Sequence, residues 1–465
     1  MTKKSIAQLT LLPLAMLITG SIDSIRCLPG IAIFGSSLIF FAVFAAFFFL
    51  LPTGLVSAAL TMIHPEEGGI FQWSRKAFGA KTAALAIWLQ WINTMVWFPT
   101  ILSFVAGTLA YLIAPDLANN RFYLVGVIVG VFWLLTLLNL RGLKTAALFA
   151  SWCTLLGMVI PMALIIVLAI AWVSTGHPIH LQFTTDAMLP SLKTSNHWVS
   201  LTAIMAAYLG IELATVHVPQ TKDPARTFPR ALTLSVIFIM ITMILGSLAI
   251  AAIIPADHIN LVAGTMQTIH YYLHSYHLDF LQPLLALLVL IGSLGGMINW
   301  LISPAKGLLQ AAEDRFLPPF FCKHNAQNVP SRLLIAQAII VTLIAAAFVL
   351  MPSINASYWW LTDLSTQLYM IMYLILFASA AVLFWRYHHS PHPNRKLILG
   401  GRFGFTVCCA MGVIGSLASI VVGFFRPDSF ASGSEWHYFL LMLFGLIGLS
   451  LPGLLLWWHA HRAKV

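Results

Sequence analysis

Two charged side chains of opposite sign, Asp23 and Arg26, stand three residues apart in Gly20-Ser21-Ile22-Asp23-Ser24-Ile25-Arg26-Cys27-Leu28-Pro29, between the apolar runs Leu9-Thr10-Leu11-Leu12 and Ile31-Ala32-Ile33-Phe34. At the centre of a bilayer each charge costs roughly 2.5–3.5 kcal/mol, so such residues pair, face water or handle a substrate. Arg26 has the chemistry to take a carboxylate and Asp23 an amine. The competing reading is a structural ion pair, because residues three apart on a helical turn share a face. The Gly, the two Ser and the Pro argue that the helix is interrupted here. A second stretch of the same kind, Tyr208-Leu209-Gly210-Ile211-Glu212, again joins a Gly to an acid inside an apolar run. Glu212 reads as a proton carrier or gate, since a buried carboxyl can be held protonated. Its alternative is a carboxylate bonding backbone N–H groups freed at the break.

The rest of the chain is what positions these two stretches. Of 465 residues 60% are hydrophobic and 8% charged, with a mean hydropathy of +0.91, against about 25% charged in soluble proteins. The expected class is an all-α polytopic membrane protein in the lipid bilayer. Apolar runs of the length needed to cross (about 20 residues) fall near 9–34, 38–62, 83–113, 122–140, 145–173 and 198–218, then near 231–254, 281–311, 333–351, 357–384, 403–424 and 438–458. Twelve spans put both termini on one side. Nineteen of the 24 Lys and Arg residues lie in loops of that side, and only Arg121, Lys193 and Arg426 in the opposite loops. The positive-inside rule makes the termini cytoplasmic, and the net charge of +10 is then a matter of topology, with no nucleic-acid partner implied. Met1-Thr-Lys-Lys leads into a long apolar span with no cleavable signal pattern.

The breaks fall in spans 1 and 6, which open two sets of five. Interrupted spans at corresponding positions of two halves point to a transporter of inverted repeats. Residues 9–173 form repeat one and 198–384 repeat two of a transport core over 1–384; residues 385–465 add two further spans and a short cytoplasmic tail. Half-helix ends at the breaks would attract a carboxylate through N–H groups and an amine through carbonyls. The candidate substrate-binding residues are therefore Ile22, Asp23, Ser24, Ile25, Arg26, Tyr208, Gly210 and Ile211. Among many aromatics, most of them anchors or packing, Trp97 and Phe98 are candidate pathway residues. Asp363 lies near the outer end of span 10, where an interfacial position is the plainer account. Asn260 to Ile269 reads as a short helix on the outer face, and Ile70-Phe71-Gln72-Trp73 as an amphipathic patch on the cytoplasmic side.

These features resemble the amino acid–polyamine–organocation superfamily, and within it the bacterial glutamate/GABA antiporters. The resemblance covers nearly the whole chain. It rests on Leu9-Thr10-Leu11-Leu12, Glu66-Glu67-Gly68-Gly69-Ile70-Phe71, Tyr208 to Glu212, Thr215-Val216-His217-Val218, Asp223-Pro224, Asn260 to Thr268, and Trp300-Leu301-Ile302-Ser303-Pro304-Ala305-Lys306-Gly307. It implies a five-plus-five core unwound in spans 1 and 6, and exchange of an amino acid for a related amino acid or amine product by alternating access. It further implies that Trp300 closes over substrate, that Glu212 takes part in gating or proton response, and that Tyr369 and Tyr373 lie near the pathway. Two departures bear on chemistry. Ile22-Asp23-Ser24 stands where relatives carry a Gly/Ser-rich run for the substrate carboxylate, and Arg26 where they carry an uncharged residue. The chain ends soon after span 12, so plug-type pH gating is not implied.

Other readings are a proton-coupled amino-acid or polyamine uptake system, an integral membrane enzyme, and a sensor on a transporter fold. Membrane enzymes place their acids, His or Arg in large loops, whereas the loops here are short, so no enzyme is expected. No cofactor is expected either: nothing matches a P-loop or a dinucleotide loop, and the five cysteines, Cys27, Cys153, Cys322, Cys408 and Cys409, lack metal-type spacing. Eight histidines gather at the outer loops; His270 and His274 would share a helix face, as solvated side chains or as a pH-sensing surface. The expected partners are amino-acid or amine substrates, with proton coupling and a homodimer left open, and the expected location is a bacterial inner membrane.

Overall fold

The computed structural model describes residues 9–63, 69–141, 155–189, 195–215, 221–313, 318–327, 329–386, 401–427 and 434–462. Its main helices are α1 Leu11–Ile22, α2 Leu28–Ala32, α3 Leu38–Ala45, α4 Leu51–Ile63, α5 Ile70–Phe78, α6 Ala80–Ile113, α7 Arg121–Leu140, α8 Ile160–Ser174, α9 Ser195–Ala207 and α10 Ile211–Ala214. They continue as α11 Pro224–Ile253, α12 Gly264–Ser275, α13 Gln282–Glu313, α14 Ser331–Ala345, α15 Ile354–Arg386, α16 Gly401–Val422 and α17 Glu435–Arg462. No strand occurs among the described residues, only one isolated bridge between Leu9 and Thr221. This is an all-α polytopic membrane protein. Among the described residues nine helices are long and apolar enough to cross a bilayer, ten if the bent pair Leu11–Gly20 and Ile25–Ala32 is taken as one span. Trp198–Ala214 and Asp279–Gly295 are shorter apolar helices. The first of these contains Gly210, where the sequence anticipates an interruption.

The bundle is built around two long rods, α6 and α15, which pack along each other; α13 and α17 also lie against α6, and α16 against α15. α6 is continuous over 34 residues despite Pro99, whose missing N–H removes one intrahelical bond. α3 runs into α4 through a π-turn, Ala46–Leu50, just before Pro52. Proline there frees the carbonyl of Phe48, four residues back. α16 comes up to that carbonyl with Gly415, where a Cβ would lie 2.4 Å from the Phe48 oxygen. Only a glycine permits so close an approach.

α5 is amphipathic as expected, burying Ile70, Phe71, Trp73 and Ala77 while Arg75 is exposed. The short helix expected from Asn260 starts later, at Gly264, because the Asn260 side chain accepts from the N–H groups of Val262 (2.9 Å) and Ala263 (3.0 Å) and holds a turn there instead. His270 and His274 do share a face of α12, their rings stacked 6.0 Å apart. His274 meets Asp279 at 3.2 Å and His270 meets Gln282 at 2.7 Å, both histidines being exposed. In the neighbouring loop the hydrogen bond from His258 holds the exposed Asp257 carboxyl below its usual range.

Overpacking a tight contact costs about 1–3 kcal/mol. Gly415→Val should therefore lower the melting temperature of the detergent-purified protein by several degrees. Gly448→Val, with open space around its Cα, should not, and thermal unfolding followed by fluorescence compares the two.

Candidate substrate cavity between two helix breaks

α1 stops at Ile22 because Asp23 (φ −62°, ψ 128°) and Ser24 (φ −149°, ψ 120°) are extended. The chain resumes as a 3₁₀ turn, Ile25–Cys27, leading into α2, with a bend of 41° across the break. The carbonyls of Gly20, Ser21 and Ile22 thereby lose their helical donors at 24–26, leaving a partly negative helix end beside the N–H groups that open the next segment. The second break follows α9. Gly210 adopts φ +99°, a conformation that only glycine takes freely, and α10 restarts at Ile211.

Between the breaks lies a cavity of about 130 Å³ whose polar wall includes Asp23, Ser24, Arg26, Asn93, Thr94 and Tyr369. Ile22, Ile25 and Trp97 also line it. Of the expected substrate residues, Tyr208, Gly210 and Ile211 are buried in the second break and do not line this cavity. Phe98 turns away to pack on Phe132, ring centroids 4.8 Å apart. Trp300 sits on α13, but its side chain lies outside the described residues, as do Glu66 to Gly68 and Val216 to Val218 of the sequence motifs.

Asp23 and Arg26 do not pair. The helical turn that would align them is the segment that has unwound, and each side chain reaches a different element. Asp23 Oδ2 accepts from Thr242 Oγ1 of α11 at 2.9 Å. Arg26 Nη1 donates to Thr100 Oγ1 of α6 at 3.3 Å and to Tyr358 Oη of α15 at 3.1 Å, and its guanidinium carbon lies 5.5 Å from the Trp97 ring centroid. Both are nearly inaccessible, at 4% and 5% exposure. Asp23 Oδ1 and Arg26 Nε have no hydrogen-bond partner, which for buried ionised groups is a substantial cost.

Glu212 is buried under three donors. Tyr369 Oη donates to Oε1 at 2.5 Å, Gln90 Nε2 reaches the same oxygen at 3.5 Å, and Tyr373 Oη donates to Oε2. No Lys or Arg among the described residues lies within ion-pair distance of it. Tyr373 Oη also accepts from the Gly210 N–H at 3.0 Å, so one phenol holds both the acid and the backbone break. Asp363 is buried: at 1% exposure it accepts from Gln367 at 2.9 Å and from Tyr438 of α17 at 2.5 Å.

Gln90, Asn93, Thr94 and Thr100 were not anticipated from the sequence as site residues. Their signal is present: with Trp97 they recur at three- and four-residue steps along one face of α6, a polar stripe on a mostly apolar rod.

The family model described as amino acid permease matches residues 9–447. The chain belongs to that family. It is thus a member of the amino acid–polyamine–organocation superfamily, a family of transporters. Its relatives include an uncharacterized transporter of Legionella pneumophila, 36% identical over 94% of both chains. A glutamate/gamma-aminobutyrate antiporter of Lactococcus lactis is 28% identical over 88% of this chain and 82% of its own. A probable agmatine/putrescine antiporter of the same species is 23% identical over 75% and 74%.

Tyr373→Phe strips one bond from Glu212 and leaves the Gly210 N–H unpaired, whereas Tyr369→Phe leaves Gln90 in place on the same oxygen. Since an unsatisfied buried group costs about 1–3 kcal/mol, Tyr373→Phe should lower the melting temperature more than Tyr369→Phe; equal shifts would remove the shared-phenol account of the break.

Proposed function

We propose that this protein is a secondary antiporter of a bacterial inner membrane, exchanging an amino acid for a related amino acid or amine by alternating access. The observation that carries this reading is the cavity at the first break, in which a buried carboxylate and a buried guanidinium each keep one polar atom without a partner. Such atoms are what a small solute bearing an amine and a carboxylate would satisfy, and the exposed backbone ends add fields of the right sign. The activities after which the Lactococcus relatives are named, both antiport, favour exchange over unidirectional uptake.

In this reading residues 1–384 form a core of two inverted repeats, 9–173 and 198–384, with a broken span opening each. Residues 385–465 brace it, and both termini are cytoplasmic. Ile22, Asp23, Ser24, Ile25 and Arg26 contact substrate. The second break, with Tyr208, Gly210 and Ile211, sets how closely α9 and α10 approach it. Glu212 acts as gate or proton site. Tyr369 connects the two regions, since it lines the cavity and donates to Glu212. Trp300 closes over the occupied cavity from α13.

Counterflow in proteoliposomes tests the reading. Vesicles loaded with an unlabelled amino acid should accumulate labelled amino acid from outside, and empty vesicles should not. Uptake into empty vesicles driven by a pH gradient would instead establish proton symport. Glu212→Gln, which preserves shape but cannot ionise and exchanges one acceptor oxygen for a donor, should cut the exchange rate at least tenfold while the protein remains folded. Undiminished exchange in that variant would remove Glu212 from the transport cycle.

A further inference from the structure

The environment of Arg26 bears on which solutes this cavity can take, and the argument rests on the cavity being the transport site. Arg26 is a buried cation that makes no ion pair among the described residues. Among the described residues no carboxylate lies within 4.0 Å of it. What surrounds it is neutral: the hydroxyls of Thr100 and Tyr358, and the face of Trp97. Hydroxyl acceptors and a cation–π contact recover only part of the desolvation cost of a guanidinium.

The guanidinium is also held in place. Thr100 Oγ1 is itself tied to the Trp97 carbonyl at 2.8 Å. Tyr358 lies one turn into α15, and its hydroxyl is 3.5 Å from the Arg26 carbonyl oxygen as well as 3.1 Å from the side chain. The start of α15 is pinned by Asn355, which accepts from Leu261 N and donates to Ile259 O, each at 2.9 Å. From the other side, Thr265 of α12 donates to the Ile25 carbonyl at 3.2 Å and fixes the backbone just before Arg26. A planar donor fork held this way, on a residue that lines the cavity and with its buried Nε still without a partner, is preorganised for a carboxylate.

We infer that Tyr358 and Thr100 hold Arg26 as a preset carboxylate receptor, so that solutes carried by this protein bear a carboxylate as well as an amine, and diamines without one are refused. Asp23, tied on its far side to Thr242, receives the amine through the unpartnered Oδ1. A zwitterion satisfies both open atoms. A diamine satisfies Asp23 alone and brings a second positive charge toward a fixed guanidinium in a medium where charges are poorly screened. Arg26 is then the selectivity element and Tyr358 a positioning residue, and the protein sides with carboxylate-bearing cargo where the solutes in its relatives' names include both kinds.

The test compares solutes matched in backbone. Purified protein in proteoliposomes is assayed for counterflow of labelled glutamate, 4-aminobutanoate and ornithine, with 1,4-diaminobutane as competitor and as substrate; thermal shift reports binding separately from turnover. The wild type should exchange at least one carboxylate-bearing solute and ignore a hundredfold excess of the diamine. Arg26→Gln should raise KM for that solute at least tenfold, the loss expected for a hydrogen bond to a charged group, and should make the diamine an inhibitor. Tyr358→Phe, which keeps the ring and removes the hydroxyl, should raise KM several-fold with a smaller effect on turnover, a split that a simple loss of stability would not give. If Arg26→Gln fails to fold, Arg26→Lys keeps the charge but loses the fork and should show the same KM defect in weaker form. Competition by the diamine in the wild type equal to that of the amino acid, or an unchanged KM in Arg26→Gln or Tyr358→Phe, overturns the inference while leaving the transport reading intact. Absence of exchange and of binding for every solute overturns the transport reading itself, and the inference with it.

Discussion

A helix inside a bilayer must satisfy its own backbone groups, and the first span of this protein does not. The cost of leaving amides and carbonyls unpaired in hydrocarbon confines such irregular backbone to places buried in protein or lining a cavity. Everything around residues 20–28 serves that condition. α11 reaches in with Thr242 and with Ser235, which donates to the Ala15 carbonyl at 2.9 Å. α12 covers the break from one end of the bundle through Thr265, and the bridge between Leu9 and Thr221 ties the start of α1 to the segment after α10.

α15 supplies most of the remaining polar contacts. Along one rod, Tyr358 meets Arg26, Ser365 donates to Asn93 at 2.5 Å, Tyr369 and Tyr373 hold Glu212, and Ser379 donates to Ser74 at 3.3 Å. Its opposite side bonds the C-terminal helices: Gln367 donates to the Ser419 carbonyl at 3.2 Å, and Asp363 accepts from Tyr438. A side chain on Gly423 would collide with Gln367, its Cβ 1.7 Å from Nε2. The same helix thus touches both breaks and the brace, so a displacement of α15 cannot leave either break unaffected.

Several expectations changed once helices were set against one another. Asp23 and Arg26 share a face only if the turn between them is helical, and the extended Asp23–Ser24 pair turns one toward α11 and the other toward α6 and α15. Phe98 follows the outward side of α6 to Phe132, while Trp97, its neighbour in sequence, faces the cavity. Asp363 sits near a helix end in the sequence but is covered by α17, whose position no local pattern in residues 354–386 records.

What the sequence determined by itself was the class of molecule and the location of its irregularities. Long apolar runs with few charges have no stable solvent but lipid, and glycine with an acid inside such a run marks where a helix cannot continue. Those are local properties, legible residue by residue. The partners of the charges were decided by tertiary structure alone. Whether Arg26 meets Asp23 or Tyr358, and whether Glu212 meets a cation or two phenols, depends on contacts across 332 and 157 to 161 residues of chain. No spacing rule reaches over such separations, because the angle at which one helix crosses another is set by the summed packing of the whole bundle.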